Sequence, residues 1–117
     1  AIKEALSDKK GIKRFANASV PLDEALTSVS LDLSGRPFLS FNVIFPRGDD
    51  GNNINPYLFE EFFRAFVTAS GVTMHIDLIR GNNTHHIIES IFKSFAVSFK
   101  EAIKMIREDI PSTKGSL

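Results

Sequence analysis

Val29, Leu31 and Leu33 alternate with Ser28, Ser30 and Asp32, which is the period of a half-buried strand over 26–33. A weaker strand candidate precedes it over 12–20 and ends at Pro21. After Ser34-Gly35-Arg36-Pro37, Leu39, Phe41, Val43 and Phe45 alternate again. The turn and the two alternating runs predict a β-hairpin. Residues 46–55 are rich in Gly, Asp and Asn and predict an exposed loop. The period then changes. Leu58, Phe59, Phe62, Phe63, Phe66 and Val67 form one apolar stripe at helical spacing, with Asn55 as N-cap, Pro56 at the first helical position and Gly71 at the end. At that spacing the phenylalanines read as core rather than as a cofactor-stacking box.

Val72, Met74, Ile76 and Leu78 share one face of a following strand, and Thr73, His75, Asp77 and Ile79 share the other. Gly81-Asn82-Asn83-Thr84 turns the chain, and Asn83 or Thr84 can cap the next helix. That helix is expected over 85–107, with Ile88, Ile91, Phe92, Phe95, Phe99, Ala102 and Ile106 as its core stripe. Ile2 and Leu6 lie on one face of a first helix that closes at Lys9-Lys10-Gly11 but shows no capping signal at its start. It reads as the tail of a longer helix beginning upstream, with a short native terminal helix as the alternative. The predicted class is α+β: a ferredoxin-like-type half-unit of order β-β-β-α-β-α. Its four-stranded mixed sheet carries two helices on one face. The expected organisation is a helix tail over 1–11, one half-domain over 12–110 and a C-terminal tail over 111–117.

Composition narrows the chemistry. With 117 residues the chain suits one domain, and 11 Phe supply core volume. Zero cysteines remove disulfides, thiolate metal sites and thiol nucleophiles. Lys plus Arg (14) balances Asp plus Glu (14), and there is no interleaving of basic and aromatic residues, so a nucleic-acid platform is not expected. No apolar run reaches the roughly 18 residues of a membrane span. No signal-peptide pattern opens the chain. The expectation is a soluble, cytoplasmic protein with neither a membrane nor a nucleic-acid partner. Its chemistry would rest on His, Asp, Glu, Lys, Arg, Ser and Thr, and no Ser-His-Asp order or nucleophile elbow is present.

The three histidines, His75, His85 and His86, all fall within one strand–turn–helix. His85 and Glu89 share a helix face at i and i+4, and His86 and Glu89 approach at i and i+3. His85 and His86 point about 100° apart on a helix, so they suit two ions rather than one. His75 lies on the less apolar strand face just before the turn. Imidazole and carboxylate together suit Zn, Mn, Fe, Co or Ni. His-His-x-x-Glu alone is also what a surface helix N-terminus looks like. Convergence of His75, His85, His86 and Glu89 at one junction would make a metal site. Four ligands divided between two ions leave each ion short, so a shared site completed by another chain or segment is predicted. Ser112, Thr113 and Lys114 beside Gly115 can cradle a phosphate, although a polar tail reads the same way. Arg36 sits in the predicted hairpin turn. Arg14 and Lys93 have no role that spacing alone assigns.

The run GIKRF…VPLDEAL…VSLDLSGRPFLSFN, then FEEFFRAF…SGVTMHIDLIRGNNTHHIIESIFKSFA, then IPSTKG, resembles the imidazoleglycerol-phosphate dehydratase family over essentially the whole chain. The resemblance implies a two-half protein of which this chain is the second half, preceded by the end of the first half's last helix. It implies an enzyme of histidine biosynthesis that eliminates water from imidazole glycerol phosphate to give imidazole acetol phosphate. It further implies two Mn2+ ions for each complete site and assembly of the subunits into a 24-mer shell. His75, His85, His86 and Glu89 match ligand positions, with the remaining ligands drawn from the first half and from neighbouring subunits. Arg14, Arg36, Lys93, Ser112 and Lys114 match phosphate-holding positions, and Asn83 matches a substrate-loop position. Ala16 and the GDDGNNINPY loop depart from the family pattern but touch no ligand position. The competing expectation is an inactive half-domain that binds metal or self-associates without turnover. In a variant of the enzyme reading, two copies of the chain pair and complete each other's sites.

Overall fold

The computed structural model describes residues 11–47 and 55–106. Residues 1–10 of the helix tail expected over 1–11, most of the polar loop, and Ser112, Thr113 and Lys114 lie outside the described residues. Along the chain run β1 (Phe15–Leu22), β2 (Ala25–Asp32), β3 (Phe38–Asn42), α1 (Leu58–Ser70), β4 (Thr73–Arg80) and α2 (Thr84–Ala102). The class is the expected one, an α+β unit of order β-β-β-α-β-α with a four-stranded mixed sheet.

Pairing differs from the expectation in one respect. The sheet order is β1-β2-β4-β3. β2 and β3 therefore do not form a hairpin. β4 lies between them, antiparallel to β2 and parallel to β3. Alternation reports which face a residue occupies and not which strand lies beside it. The Ser34–Pro37 link steps across the start of β4, where Thr73 Oγ1 donates to Arg36 O at 2.8 Å and shares a hydrogen bond with Ser34 Oγ at 3.0 Å. The hairpin present is β1–β2, closed by a two-residue turn at Asp23-Glu24. β1 runs through Pro21 to Leu22. Pro is tolerated there because β1 is an edge strand, with one row of its backbone groups outside the ladder.

Inward residues of the strands (Val29, Leu31, Leu39, Met74, Ile76) pack beneath Phe63 and Val67 of α1 and Ile87 and Ile91 of α2, all buried. The second face of β4, carrying Thr73, His75 and Asp77, looks away from the helices. α1 begins after Tyr57 rather than at Asn55. Asn55 instead caps a preceding turn, taking Tyr57 N on Oδ1 and Leu58 N on its carbonyl, each at 3.0 Å. Gly71 ends the helix at φ +75°, a left-handed conformation that favours glycine.

α2 ends at Ala102, short of the expected Arg107. From there the chain turns back to pair with residues 11–14. Arg14 N donates to Ala102 O at 2.7 Å, Lys13 N to Lys104 O at 3.0 Å, and Ile106 N to Gly11 O at 2.8 Å. Ile12, expected in the first strand, is buried in this bridge opposite Met105. The buried face of α2 is also rotated from the expected stripe. Ile87, Ser90, Ile91, Ser94, Ser98 and Ala102 face the sheet, while Phe92, Phe95 and Phe99 are only partly buried and Ile106 is exposed. Small serines let the helix sit close to the strands, a use that apolar periodicity does not register. Among the described residues no helix is long and apolar enough to cross a membrane.

Candidate functional site

Three segments meet at the N-terminus of α2: the β1–β2 turn, the β4–α2 turn and the helix's first two turns. Asn83 is the N-cap, with extended backbone and its Oδ1 taking His86 N at 2.9 Å. This is the capping role expected of it. Gly81 permits the tight approach of the turn, since a Cβ there would lie 2.9 Å from Ile87 Cγ1 and 3.2 Å from Ala25 Cβ. The helix start thus sits directly over the end of the β1–β2 hairpin.

On that frame the adjacent histidines diverge. Their ring centroids are 6.1 Å apart and their planes are inclined at 63°. His85 Nε2 lies 3.2 Å from Glu89 Oε1, and Glu89 Oε2 lies 3.2 Å from Lys93 Nζ. His85, Glu89 and Lys93 thereby form a line along the exposed side of the helix. The Lys93 hydrogen bond, then its charge, hold the Glu89 carboxyl below its ordinary value, with His85 contributing less. His86 turns the other way. Its Nδ1 lies 2.7 Å from Glu24 Oε1, and its Nε2 lies 3.6 Å from Asp23 Oδ2. Glu24 Oε2 also accepts Asn82 N at 3.0 Å and Asn83 N at 3.1 Å. The His86 hydrogen bond first, and the Asn82 amide second, lower the Glu24 carboxyl to about 2. The same hydrogen bond raises His86 above the ordinary imidazole value.

His75 stands apart. It lies on the open face of the sheet, its ring 5.5 Å from that of Phe38, in a shallow depression lined by Ser30, Leu31, Asp32 and Thr73. Among the described residues no three His, Asp or Glu side chains gather closely enough to hold a metal ion. His75, His85, His86 and Glu89 do not converge on one another within the described residues. The sheet separates His75 from a helix packed on its other face. The described chain offers one two-donor pair, His85 with Glu89, and one further imidazole, His86, whose Nδ1 is taken by Glu24. Their imidazole and carboxylate chemistry fits a Mn2+-type cation, while their number requires further ligands from outside the described residues.

The expected phosphate-holding residues are scattered. Arg14 is engaged with Asp32, Nε to Oδ1 at 2.8 Å. It also carries a left-handed backbone, φ +81°, rare for a residue with a Cβ. Arg36 lies exposed on the β2–β3 link at the opposite end of β4 from α2's N-terminus. Lys93 is held by Glu89. Glu24 and Asp23 were not singled out from the sequence. Glu24 lies 62 positions from His86, and only the turn geometry joins them.

Fold and side chains together define an α+β protein that presents two imidazole–carboxylate pairs at one helix N-terminus. A family model described as imidazoleglycerol-phosphate dehydratase matches residues 1–99. The chain belongs to the imidazoleglycerol-phosphate dehydratase family. It is 50% identical over 117 residues to the imidazoleglycerol-phosphate dehydratase of Clostridioides difficile, covering 100% of this chain and 60% of that one. It is 53% identical over 119 residues to the one from Alkaliphilus metalliredigens, with the same coverage of 100% and 60%. The crystal structure of the Staphylococcus aureus enzyme superposes with a TM-score of 0.83 at 44% identity, over 89% of this chain and 60% of that one. The chain thus spans about 60% of the length of the curated relatives it matches.

Proposed function

We propose that this chain is the second half of an imidazoleglycerol-phosphate dehydratase, acting in histidine biosynthesis. The reaction is loss of water from imidazole glycerol phosphate, giving imidazole acetol phosphate. The observation that carries the reading is the pair of diverging imidazoles at the start of α2, each against a carboxylate, in a chain of this family. His85 with Glu89 would hold one Mn2+ and His86 the other. Bound divalent ions supply Lewis acidity toward the substrate's ring nitrogens and hydroxyl.

The chain's own residues bind and orient. Asn83 fixes the start of α2, which sets the angle between the two imidazoles. Arg14, Arg36, Lys93, Ser112, Thr113 and Lys114 would supply positive charge and hydroxyls to phosphate sites shared between neighbouring subunits, and the phosphate's binding energy would orient the reacting end. Arg14 and Lys93 must share themselves with Asp32 and Glu89 to do so. His75, on the far side of the sheet, would serve a site completed by a neighbouring subunit. This fits a shared, oligomeric arrangement with the first half as a necessary partner.

A second reading is favoured by the engagement of His86 with Glu24 and of Glu89 with Lys93 inside the chain. In it the half binds metal or self-associates without turnover. Purified chain is supplied with Mn2+ and imidazole glycerol phosphate, alone and with a separately made first half. Elimination that appears on adding the first half, and is lost in His85→Ala and Glu89→Ala, supports the enzyme reading. Metal uptake without elimination in either mixture sinks it and leaves the second.

A further inference from the structure

We propose that Glu24 is a positioning residue for His86: from the β1–β2 turn it holds the ring by Nδ1 and leaves Nε2 as the metal-binding nitrogen. The inference rests on the metal-site reading above and assigns a role to a residue outside its ligand set.

Both oxygens of Glu24 are committed. Oε1 meets His86 Nδ1 at 2.7 Å, and Oε2 takes the Asn82 and Asn83 amides at 3.0 and 3.1 Å. An ionised carboxylate only accepts hydrogen bonds. A neutral His86 then carries its proton on Nδ1, with the Nε2 lone pair on the side of Asp23, whose Oδ2 lies 3.6 Å away. The two amides belong to the turn that ends in the Asn83 N-cap, so one side chain fixes the ring's tautomer and also the start of its helix. A carboxylate behind a metal-binding imidazole also makes the ring a stronger donor. Asp23, which precedes Glu24 in the turn, has a left-handed backbone at φ +51°, a conformation uncommon for a residue with a Cβ. His85 is arranged differently. Its carboxylate neighbour is on its own helix and meets Nε2. The two imidazoles are therefore unequal, and the His86 position is preorganised before any ion arrives.

Glu24→Gln separates this role from simple bracing of the turn. The Gln carbonyl can keep the two amides. Its NH2 then faces Nδ1 and requires that nitrogen to accept, which moves the ring proton to Nε2. Long-range 15N–1H NMR of the metal-free full chain, at a pH where the ring is neutral, reads the tautomer. The expected result is Nδ1–H in the unmodified chain and Nε2–H in Glu24→Gln. Mn2+ titration followed by electron paramagnetic resonance should show affinity about 10–100-fold weaker in Glu24→Gln at the site that His86→Ala removes.

An Nε2–H tautomer in the unmodified chain overturns the proposal without need of any variant. So does a Glu24→Gln chain that melts earlier but keeps both its tautomer and its Mn2+ affinity, since that is bracing alone. If the unmodified chain takes up no Mn2+, the metal-site reading fails for the chain by itself, and the tautomer still decides the role of Glu24.

Discussion

Toward the sheet, α2 presents Ile87, Ser90, Ile91, Ser94 and Ser98, all essentially inaccessible to solvent. Away from the sheet it presents Phe92, Phe95 and Phe99, partly buried against Phe59, Phe62, Phe63 and Phe66 of α1. The first seam is closed by small groups and hydrogen bonds. Thr27 Oγ1 meets Ser90 Oγ at 2.8 Å and Ser94 Oγ at 3.2 Å, and Val20 N donates to Ser94 Oγ at 2.9 Å. Ser90 Oγ donates to Val20 O, so an edge-strand residue has both backbone groups paired by the helix. The second seam has greater apolar volume but is open, with Leu58 and Phe62 of α1 about half exposed. Hydrophobicity alone therefore does not mark the finished surface. Small size and polar satisfaction mark it, while the aromatic layer leaves apolar side chains exposed.

Two neighbouring phenylalanines give the largest test of that contrast. Phe63→Ala should cost about 3–5 kcal/mol in denaturant unfolding, because Phe63 is fully buried. Phe62→Ala, one residue away and half exposed, should cost far less; equal losses would break the distinction between the two seams. Next comes Ser94→Val. It puts bulk into the close helix–sheet contact and leaves Val20 N without its partner, with an expected cost of about 2–3 kcal/mol. A neutral result there would mean that the hydroxyl seam is incidental. Smaller still is Phe62→Ser, expected to change stability by no more than about 0.5 kcal/mol. Its effect should appear instead as weaker concentration-dependent self-association in analytical ultracentrifugation.

The smallest effect concerns pH in the metal-free chain. His86 is raised by Glu24 first, with Asp23 and Glu89 adding to it, so its stabilisation is whole below the ordinary 6.5 and fades as pH rises through the raised value. Glu24 is lowered from 4.5 to about 2, so its stabilisation is whole above 4.5 and fades as pH falls toward 2. Between 4.5 and 6.5 the pair contributes most. Thermal melts across this range should show a shallow maximum there that Glu24→Ala flattens. A maximum that survives the substitution would place its origin in other groups.

Much of this was legible in the sequence, and the failures share a cause. Alternation located β2, β3 and β4 and put Met74 and Ile76 inside with His75 outside. Asn83 was readable as a cap because capping is local. Neighbours in space were not readable. The β2–β3 hairpin was expected because a turn joins two alternating runs, yet β4 enters between them. The end of α2 was placed too late because the bridge to residues 11–14 ends it, and that contact spans most of the chain. Of the candidate site, the divergence of His85 and His86 followed from helix geometry alone. Glu24 did not, since a carboxylate in a hairpin turn looks like solvent-exposed charge until the turn is seen beneath the helix.

The place of β4 between β2 and β3 also bears on the order of assembly. β1 and β2 adjoin through a two-residue turn, so their pairing needs little of the chain. β3 has no such local partner, because its ladder pairs it with β4, which follows α1 in the chain. During synthesis, the β3 segment therefore leaves the ribosome with both backbone edges open. The step that completes the sheet closes a long loop and should set the folding rate.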